Sequence, residues 1–250
     1  MNDKLKFFDC NCSLGRRFAP SSEEFYNVNR LIEEMEYSGI SRSLAYHSLA
    51  KEYNPDVGNE CLLEEIKGIK EIEPCWVLLP SWTKETLNPE EMIKKMLNNK
   101  VRAARTFPKE HNFSLEEWNI GDLFSVLNDH KIPLFLDLDQ TRWKEIYNIC
   151  SHYSQMPLIL SNVDYRIDRY LYPLLGKFNN LYIEISHYSV FRGIETICKN
   201  FGASHLLFGT RLPIFEAGSA LNMLNFAHIS QIDKQLISYE NLDKLLREVK

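Results

Sequence analysis

Polar side chains that could do chemistry follow the predicted strands of this 250-residue chain. Each stands at the end of a short apolar run, and each can titrate or hydrogen-bond a ligand: Asn11, Ser13, His47, Arg105, Asp137, Asn162, His187 and Arg211. One polar residue at a strand end often marks only the point where the chain meets water. Because nearly every predicted strand ends in such a group, we interpret the set as the lining of one functional site.

Two histidines and an aspartate are the candidates for proton transfer. His187 and His47 could act as general acid or base, because an imidazole titrates close to neutral pH, and Asp137 could assist them. The alternative for each histidine is an ordinary hydrogen-bonded side chain at a loop edge. A triad of Ser13, His187 and Asp137 is disfavoured, because no nucleophile-elbow motif accompanies the serine.

Two arginines predict an anionic small-molecule ligand. The planar guanidiniums of Arg105 and Arg211 could bind a carboxylate or a phosphate through paired hydrogen bonds. The alternative is that both arginines lie in surface ion pairs. The predicted substrate-binding set is completed by Asn11, Ser13, Asn162 and Tyr165.

The pair Cys10-x-Cys12 has two interpretations. Zinc sites usually combine two cysteine pairs, and redox pairs are usually C-x-x-C, so neither pattern is met. Residues two apart on a strand point to the same face. We therefore expect the two cysteines to pack in the core, with a redox or metal role as the alternative.

Short β-branched or aromatic runs alternate with longer amphipathic segments along the whole chain. Asn88 and Ser114 are predicted N-caps and Gly39 a C-cap. Eight such units in one domain, residues 1–250, predict a (β/α)8 TIM barrel, with a doubly wound open parallel sheet as the alternative. The predicted strands are Leu5–Asn11, Arg42–Ser48, Glu73–Pro80, Val101–Pro108, Ile132–Asp139, Pro157–Val163, Leu181–Tyr188 and Leu206–Pro213.

Composition excludes several classes of protein. The net charge of −5 gives no basic surface for nucleic acid. No apolar run approaches the roughly 18 residues of a membrane span. The N-terminal residues contain no long apolar segment of a signal peptide, so we expect a cytoplasmic protein whose six cysteines are free thiols.

Several motifs together resemble those of the amidohydrolase superfamily, in its "amidohydrolase 2" branch of metal-dependent TIM-barrel hydrolases and decarboxylases. The family begins D-x-H-x-H-x-G, and "DCNCSLG" places Asn11 and Ser13 in the histidine positions. "PLFLD" places Asp137, and "LILSNV" places Asn162, where the family has histidines. "LLFGTRLP" keeps the family's L-F-G-T-D-x-P pattern but places Arg211 in the aspartate position. With "NLDKLL" near the C-terminus, the resemblance covers nearly the whole chain.

The resemblance implies a metal site whose ligands are replaced. Asn and Ser are poor zinc ligands, and the charge of Arg211 would repel a divalent cation. We therefore expect neither zinc nor manganese, and we expect Arg211 to pair with Asp137. Asp137 and Asp139 offer too few carboxylates for a hard cation.

Two functions remain open. The first is a metal-independent or divergent hydrolase or decarboxylase that acts on a small acidic molecule at the C-terminal rim of the barrel. The second is a catalytically inactive barrel that binds a small ligand or a protein partner. Barrels of this family often form dimers, and the aromatic stretch "DRYLYPLL" leaves a homodimer open.

Overall fold

In the computed structural model, which describes residues 5–250, eight parallel strands follow one another in chain order. Backbone hydrogen bonds from Cys10 N to Phe208 O (2.9 Å) and from Ser13 N to Leu212 O (2.9 Å) join the first strand to the segment around the last. This confirms the TIM barrel, and the open sheet is wrong. The strands are β1 (Phe7–Leu14), β2 (Ile40–His47), β3 (Ile72–Val77), β4 (Ala103–Thr106), β5 (Leu134–Asp137), β6 (Leu158–Ser161), β7 (Leu181–Glu184) and β8 (Leu206–Leu207).

Helices connect the strands on the outside of the barrel. They are α1 (Val28–Ser38), α2 (Ser48–Glu52), α3 (Pro55–Glu65), α4 (Pro89–Asn98), α5 (Glu117–Asp129), α6 (Trp143–His152), α7 (Asp168–Leu175), α8 (Gly193–Phe201), α9 (Ala217–Asn225), α10 (Gln231–Gln235) and α11 (Asn241–Arg247). Within residues 5–250, none of them combines the length and the apolar character that crossing a bilayer requires.

The predicted helix ends are partly confirmed. Asn88 caps α4 through its side chain, and Gly39 ends α1 with a φ of 72°, a conformation that glycine adopts without strain. The predicted cap at Ser114 is wrong. Its Oγ accepts from Glu116 N (3.1 Å) in the turn before α5, and the helix begins only at Glu117.

The cysteine pair on β1 is buried, as predicted, but the two thiols do not share a face. Cys10 packs with the apolar side chains inside the barrel, whereas Cys12 packs in the core between strands and helices. The register with β2 shifts between Asp9 and Cys12, and this irregularity breaks the usual alternation of the strand. Burial raises the pKa of both thiols well above the ordinary value, so both stay protonated.

Aromatic side chains fill the upper layer of the barrel interior. Tyr46, Phe107 and Phe135 belong to the interior cluster, and the guanidinium of Arg105 lies 4.9 Å from the ring centre of Tyr46 and 5.3 Å from that of Phe135. A cation over an aromatic face is stabilised by the ring quadrupole. The packed layer therefore forms a floor, and the polar site lies above it at the carboxyl ends of the strands.

Candidate functional site

A small cavity at the carboxyl ends of the strands gathers five of the predicted site residues. This mouth pocket has a volume of about 120 Å³. Its lining includes the side chains expected from the sequence, together with two further bases: Asn11, Ser13, Arg105, Asp137, Arg211, Arg17 and Lys51. The pocket therefore brings most of the predicted ligand-binding groups together, although they arise from distant parts of the chain.

Arg105 lies at the centre of this pocket and is almost fully buried. Its Nη1 donates to Asp137 Oδ1 (3.0 Å), and its Nη2 donates to Asn11 Oδ1 (2.9 Å). Its Nε is buried and has no hydrogen-bond partner among the described residues. Burial is the largest single influence and opposes the charged form, but Asp137 together with Tyr46 and the nearby thiols outweighs it, so the pKa of Arg105 is raised and the guanidinium remains a cation.

The predicted pair between Arg211 and Asp137 is wrong. Arg211 Nη1 donates instead to Asn162 Oδ1 (2.7 Å), and its guanidinium lies 5.0 Å from the ring centre of Phe215. The strand order explains the difference. β4 pairs directly with β5 and so places Arg105 beside Asp137, whereas β8 lies three strands away.

Asp9 ties the first strand to the segment that follows β8. Oδ1 of its fully buried carboxylate accepts from Asn11 N (2.9 Å) and Thr210 N (3.0 Å), and Oδ2 accepts from Cys12 Sγ (3.1 Å) and from the hydroxyl of Thr210. Burial raises the pKa of Asp9, although these hydrogen bonds oppose the shift. We interpret Asp9 as a structural link at the point where the barrel closes.

Sequence reasoning missed Glu184, which lies fully buried beside the site. It accepts hydrogen bonds from Asn11 Nδ2 (2.9 Å) and from Ser186 Oγ (2.9 Å) and N. Burial raises its pKa. A Cβ at Gly209 would lie 2.6 Å from Glu184 Cγ, so the glycine makes room for this side chain. The available signal was a single carboxylate inside the apolar run "LYIEI".

The two predicted histidines do not line the mouth pocket. His47 is buried, its Nδ1 accepts from Leu49 N (3.2 Å) at the start of α2, and its Nε2 lies 3.2 Å from Glu65 Oε1. His187 follows β7 rather than ending it and stacks on Phe215 at a centroid distance of 5.2 Å. Both histidines therefore lie outside the group of side chains that Arg105 organises.

The remaining two predicted residues lie at the edge of the site. Tyr165 is 51% exposed and packs against Arg166 in the loop after β6. Asn162 reaches the mouth pocket only through its hydrogen bond to Arg211. A ligand in the pocket would meet the guanidinium first and the amide behind it.

The positions that the resemblance assigns to metal ligands do not fit a divalent cation. Oδ1 of Asn11 and of Asp137 is occupied by the guanidinium of Arg105, and Oδ1 of Asn162 is occupied by that of Arg211. Across residues 5–250, no three or more His, Cys, Asp or Glu side chains are placed to hold a metal ion. Two fixed cations stand where a third positive charge would have to enter.

The charges around the mouth pocket favour an anion. Four bases line it, Arg17, Lys51, Arg105 and Arg211, against the two acids Glu52 and Asp137. Most of this charge is already paired, since Arg17 binds Glu24, Lys51 Nζ lies 3.5 Å from Glu110 Oε1, and Arg105 binds Asp137. Arg211 is the one lining base that forms no ion pair with a described carboxylate, so its guanidinium can pair with an anionic ligand.

Comparison with solved structures shows the fold. The chain is similar to a 5-carboxyvanillate decarboxylase from Novosphingobium aromaticivorans, solved with bound manganese (TM-score 0.78, 11% identity, 98% of each chain covered). It is also similar to amidohydrolase 2 from Bifidobacterium longum subsp. infantis (0.72, 12%, 98% of this chain and 99% of that one). A third similar structure is an uncharacterised TIM-barrel protein from Bordetella bronchiseptica (0.76, 14%, 98% and 99%).

These neighbours share the TIM-barrel fold with this chain, and at 11–14% identity they show the fold alone. The sequence itself matches no family model and no curated protein significantly. The substrates and metals of the neighbours belong to those proteins. What this chain binds must be argued from its own side chains.

Proposed function

We propose that the protein is a divergent, metal-independent hydrolase or lyase of the amidohydrolase-like group, acting on a small anionic molecule in the mouth pocket. One observation carries this proposal. A buried guanidinium, that of Arg105, binds the side chains in two of the positions where the family has metal ligands. A fixed positive charge can stabilise negative charge on a substrate without a metal ion.

The roles of the side chains follow from their contacts. Arg211 is half-buried at the pocket, so it would hold the anionic group of the ligand. Asp137 binds Arg105 through Oδ1, and its Oδ2 accepts no hydrogen bond from the described residues, so that oxygen would take or give the proton. We assign proton transfer to Asp137 and not to His47 or His187, because neither histidine lines the pocket.

The second candidate, an inactive barrel that binds a small ligand, also has an observation in its favour. The polar groups in the ligand positions satisfy one another, through Arg105 with Asp137 and Asn11, and through Arg211 with Asn162. Such pairing holds the site together without a substrate. In this case the mouth pocket would bind an anion and release it chemically unchanged.

Ligand-dependent melting tests whether the pocket binds an anion. Acetate, malonate or inorganic phosphate should raise the melting temperature, because a ligand that binds only the folded state stabilises it. Zn²⁺, Mn²⁺ and Mg²⁺ should not, and elemental analysis should find no stoichiometric metal. Arg211→Ala should remove the anion-dependent shift, whereas Arg102→Ala, an exposed arginine before β4 at the opposite end of the barrel, should keep it. A stoichiometric metal with a clear shift would overturn the metal-independent site.

Product analysis separates the enzyme from the binder. Carboxylate-bearing amides, esters and aromatic acids would be incubated with the protein and followed by proton NMR. Turnover that Asp137→Asn abolishes, while the anion-dependent melting shift persists, supports the enzyme. Anion binding without turnover of any compound supports the inactive barrel. Turnover that survives Asp137→Asn excludes the proposed role of that carboxylate.

A further inference from the structure

A second and larger cleft lies on the same rim of the barrel. This rim cleft, of about 770 Å³, is enclosed by the loops after β3, β4 and β5 and by the start of α5. It shares no lining residue with the mouth pocket. The loop 108–112 separates the two, since Lys51 lines the mouth pocket and its carbonyl oxygen is hydrogen-bonded to Nε2 of His111, which lines the cleft (2.9 Å). Cavities of roughly 300–1,000 Å³ are typical of small-molecule sites.

Two exposed tryptophans line the rim cleft. The side chains of Trp82 and Trp118 are 64% and 74% exposed, although indole is among the largest apolar groups a protein can bury. Trp82 is nevertheless held in place, because its Nε1 donates to the backbone oxygen of Asn119 (2.8 Å). Trp118 stands in the first turn of α5. At least one flat indole face is therefore fixed in position and largely exposed to solvent.

Hydrogen-bonding groups surround these indoles. Glu145 accepts from Arg142 N (2.8 Å) and Thr141 Oγ1 (3.0 Å) through Oε2 alone, which leaves Oε1 for a ligand donor. Polar side chains form most of the remaining lining. The charges nearly balance, with Glu85, Glu116 and Glu145 against Lys109 and Arg142. The cleft therefore carries no excess of positive charge.

We propose that the rim cleft binds a neutral polyhydroxylated ring, a saccharide unit, with its ring face stacked on Trp82 or Trp118. A sugar ring presents an apolar face of C–H groups and an edge of hydroxyls. The face matches an indole, and the hydroxyls match carboxylate and amide partners. An anionic ligand fits less well, because acids outnumber bases in the lining. This site does not depend on the function of the mouth pocket.

Tryptophan fluorescence tests the proposal on the full chain, with maltotriose, cellotriose and chitotriose as probes. The chain has four tryptophans, and only Trp82 and Trp118 line the cleft. At least one probe should give a saturable change with a blue shift, as an exposed indole is covered. At least one of Trp118→Ala and Trp82→Ala should weaken that binding by roughly tenfold, which corresponds to about 1.4 kcal/mol, because the stacked ring loses its partner. Both residues are exposed, so both variants should fold.

A matched control is Trp143→Phe, which removes a tryptophan outside the cleft and should leave the affinity unchanged. Binding that persists in Trp82→Ala and Trp118→Ala would overturn the proposal. The absence of a saturable change with all three probes would do so too. Tighter binding of adenosine or benzoate, measured in the same way, would show that the cleft takes an aromatic ligand and not a sugar.

Discussion

Replacing Arg105 by methionine should strongly destabilise the barrel. The side chain of Arg105 is 3% exposed and that of its partner Asp137 is 9% exposed. Methionine keeps most of the volume of the arginine stem but removes the charge. The carboxylate of Asp137 and the amide oxygen of Asn11 would then lose their donors inside the protein.

The magnitude follows from the type of interaction lost. Removing one partner of a buried ion pair costs about 3–5 kcal/mol, because the remaining charge stays desolvated without compensation. The unpaired amide oxygen of Asn11 keeps the value within the upper part of that range. Removing both charges, in the double variant Arg105→Met with Asp137→Leu, should recover about 2 kcal/mol or more of the loss.

Urea unfolding measures these free energies by linear extrapolation. Arg102→Met is the matched control, because Arg102 is exposed and should change the free energy of unfolding by no more than about 0.5 kcal/mol. A loss below about 1 kcal/mol for Arg105→Met would refute the buried ion pair, since that is the range of exposed pairs. A double variant less stable than the single one would refute the coupling between the two charges.

Two further predictions concern other parts of the mouth. Gly15→Ala should be less stable than Gly68→Ala by about 1–3 kcal/mol in urea unfolding. Both glycines have a positive φ (79° and 85°), so the backbone strain is similar in the two variants. Only at Gly15 would an added Cβ clash, because it would lie 2.3 Å from Cε1 of His47. Equal losses would contradict this close packing. Burial raises the pKa of Glu184 above its ordinary value of 4.5. This shift contributes to the free energy of unfolding fully below about pH 4.5, and the contribution is lost as the pH rises through the pKa of the folded state. The free energy of unfolding of the wild type relative to Glu184→Gln, which cannot titrate there, should therefore fall over that window in a pH series, and a difference independent of pH would contradict the shift.

Local sequence patterns were sufficient to predict the strands of the barrel and the end of the barrel at which the site lies. All eight strands were predicted from runs of β-branched and aromatic residues. Their ends mostly differ by a few residues, but β8 ends at Leu207 and not at Pro213 as predicted. Asn11, Arg105 and Asp137 were predicted as one group because strand ends of a parallel barrel meet at one rim. These inferences depend on the alternation of apolar and polar residues within each strand and on the common direction of all strands, and both can be recognised in short stretches of sequence.

The hydrogen-bond partners of the site residues could be identified only from the tertiary structure. Arg105 pairs with Asp137 because β4 and β5 are neighbours, and Arg211 reaches Asn162 instead. Glu184 ends β7 and faces the site, whereas the histidine three residues later stacks on the rim. The sequence determined which polar groups arrive at the mouth of the barrel. Only the packed structure decided which of them touch, because a hydrogen bond requires a separation of about 3 Å between residues far apart in the chain, and no local pattern specifies that distance.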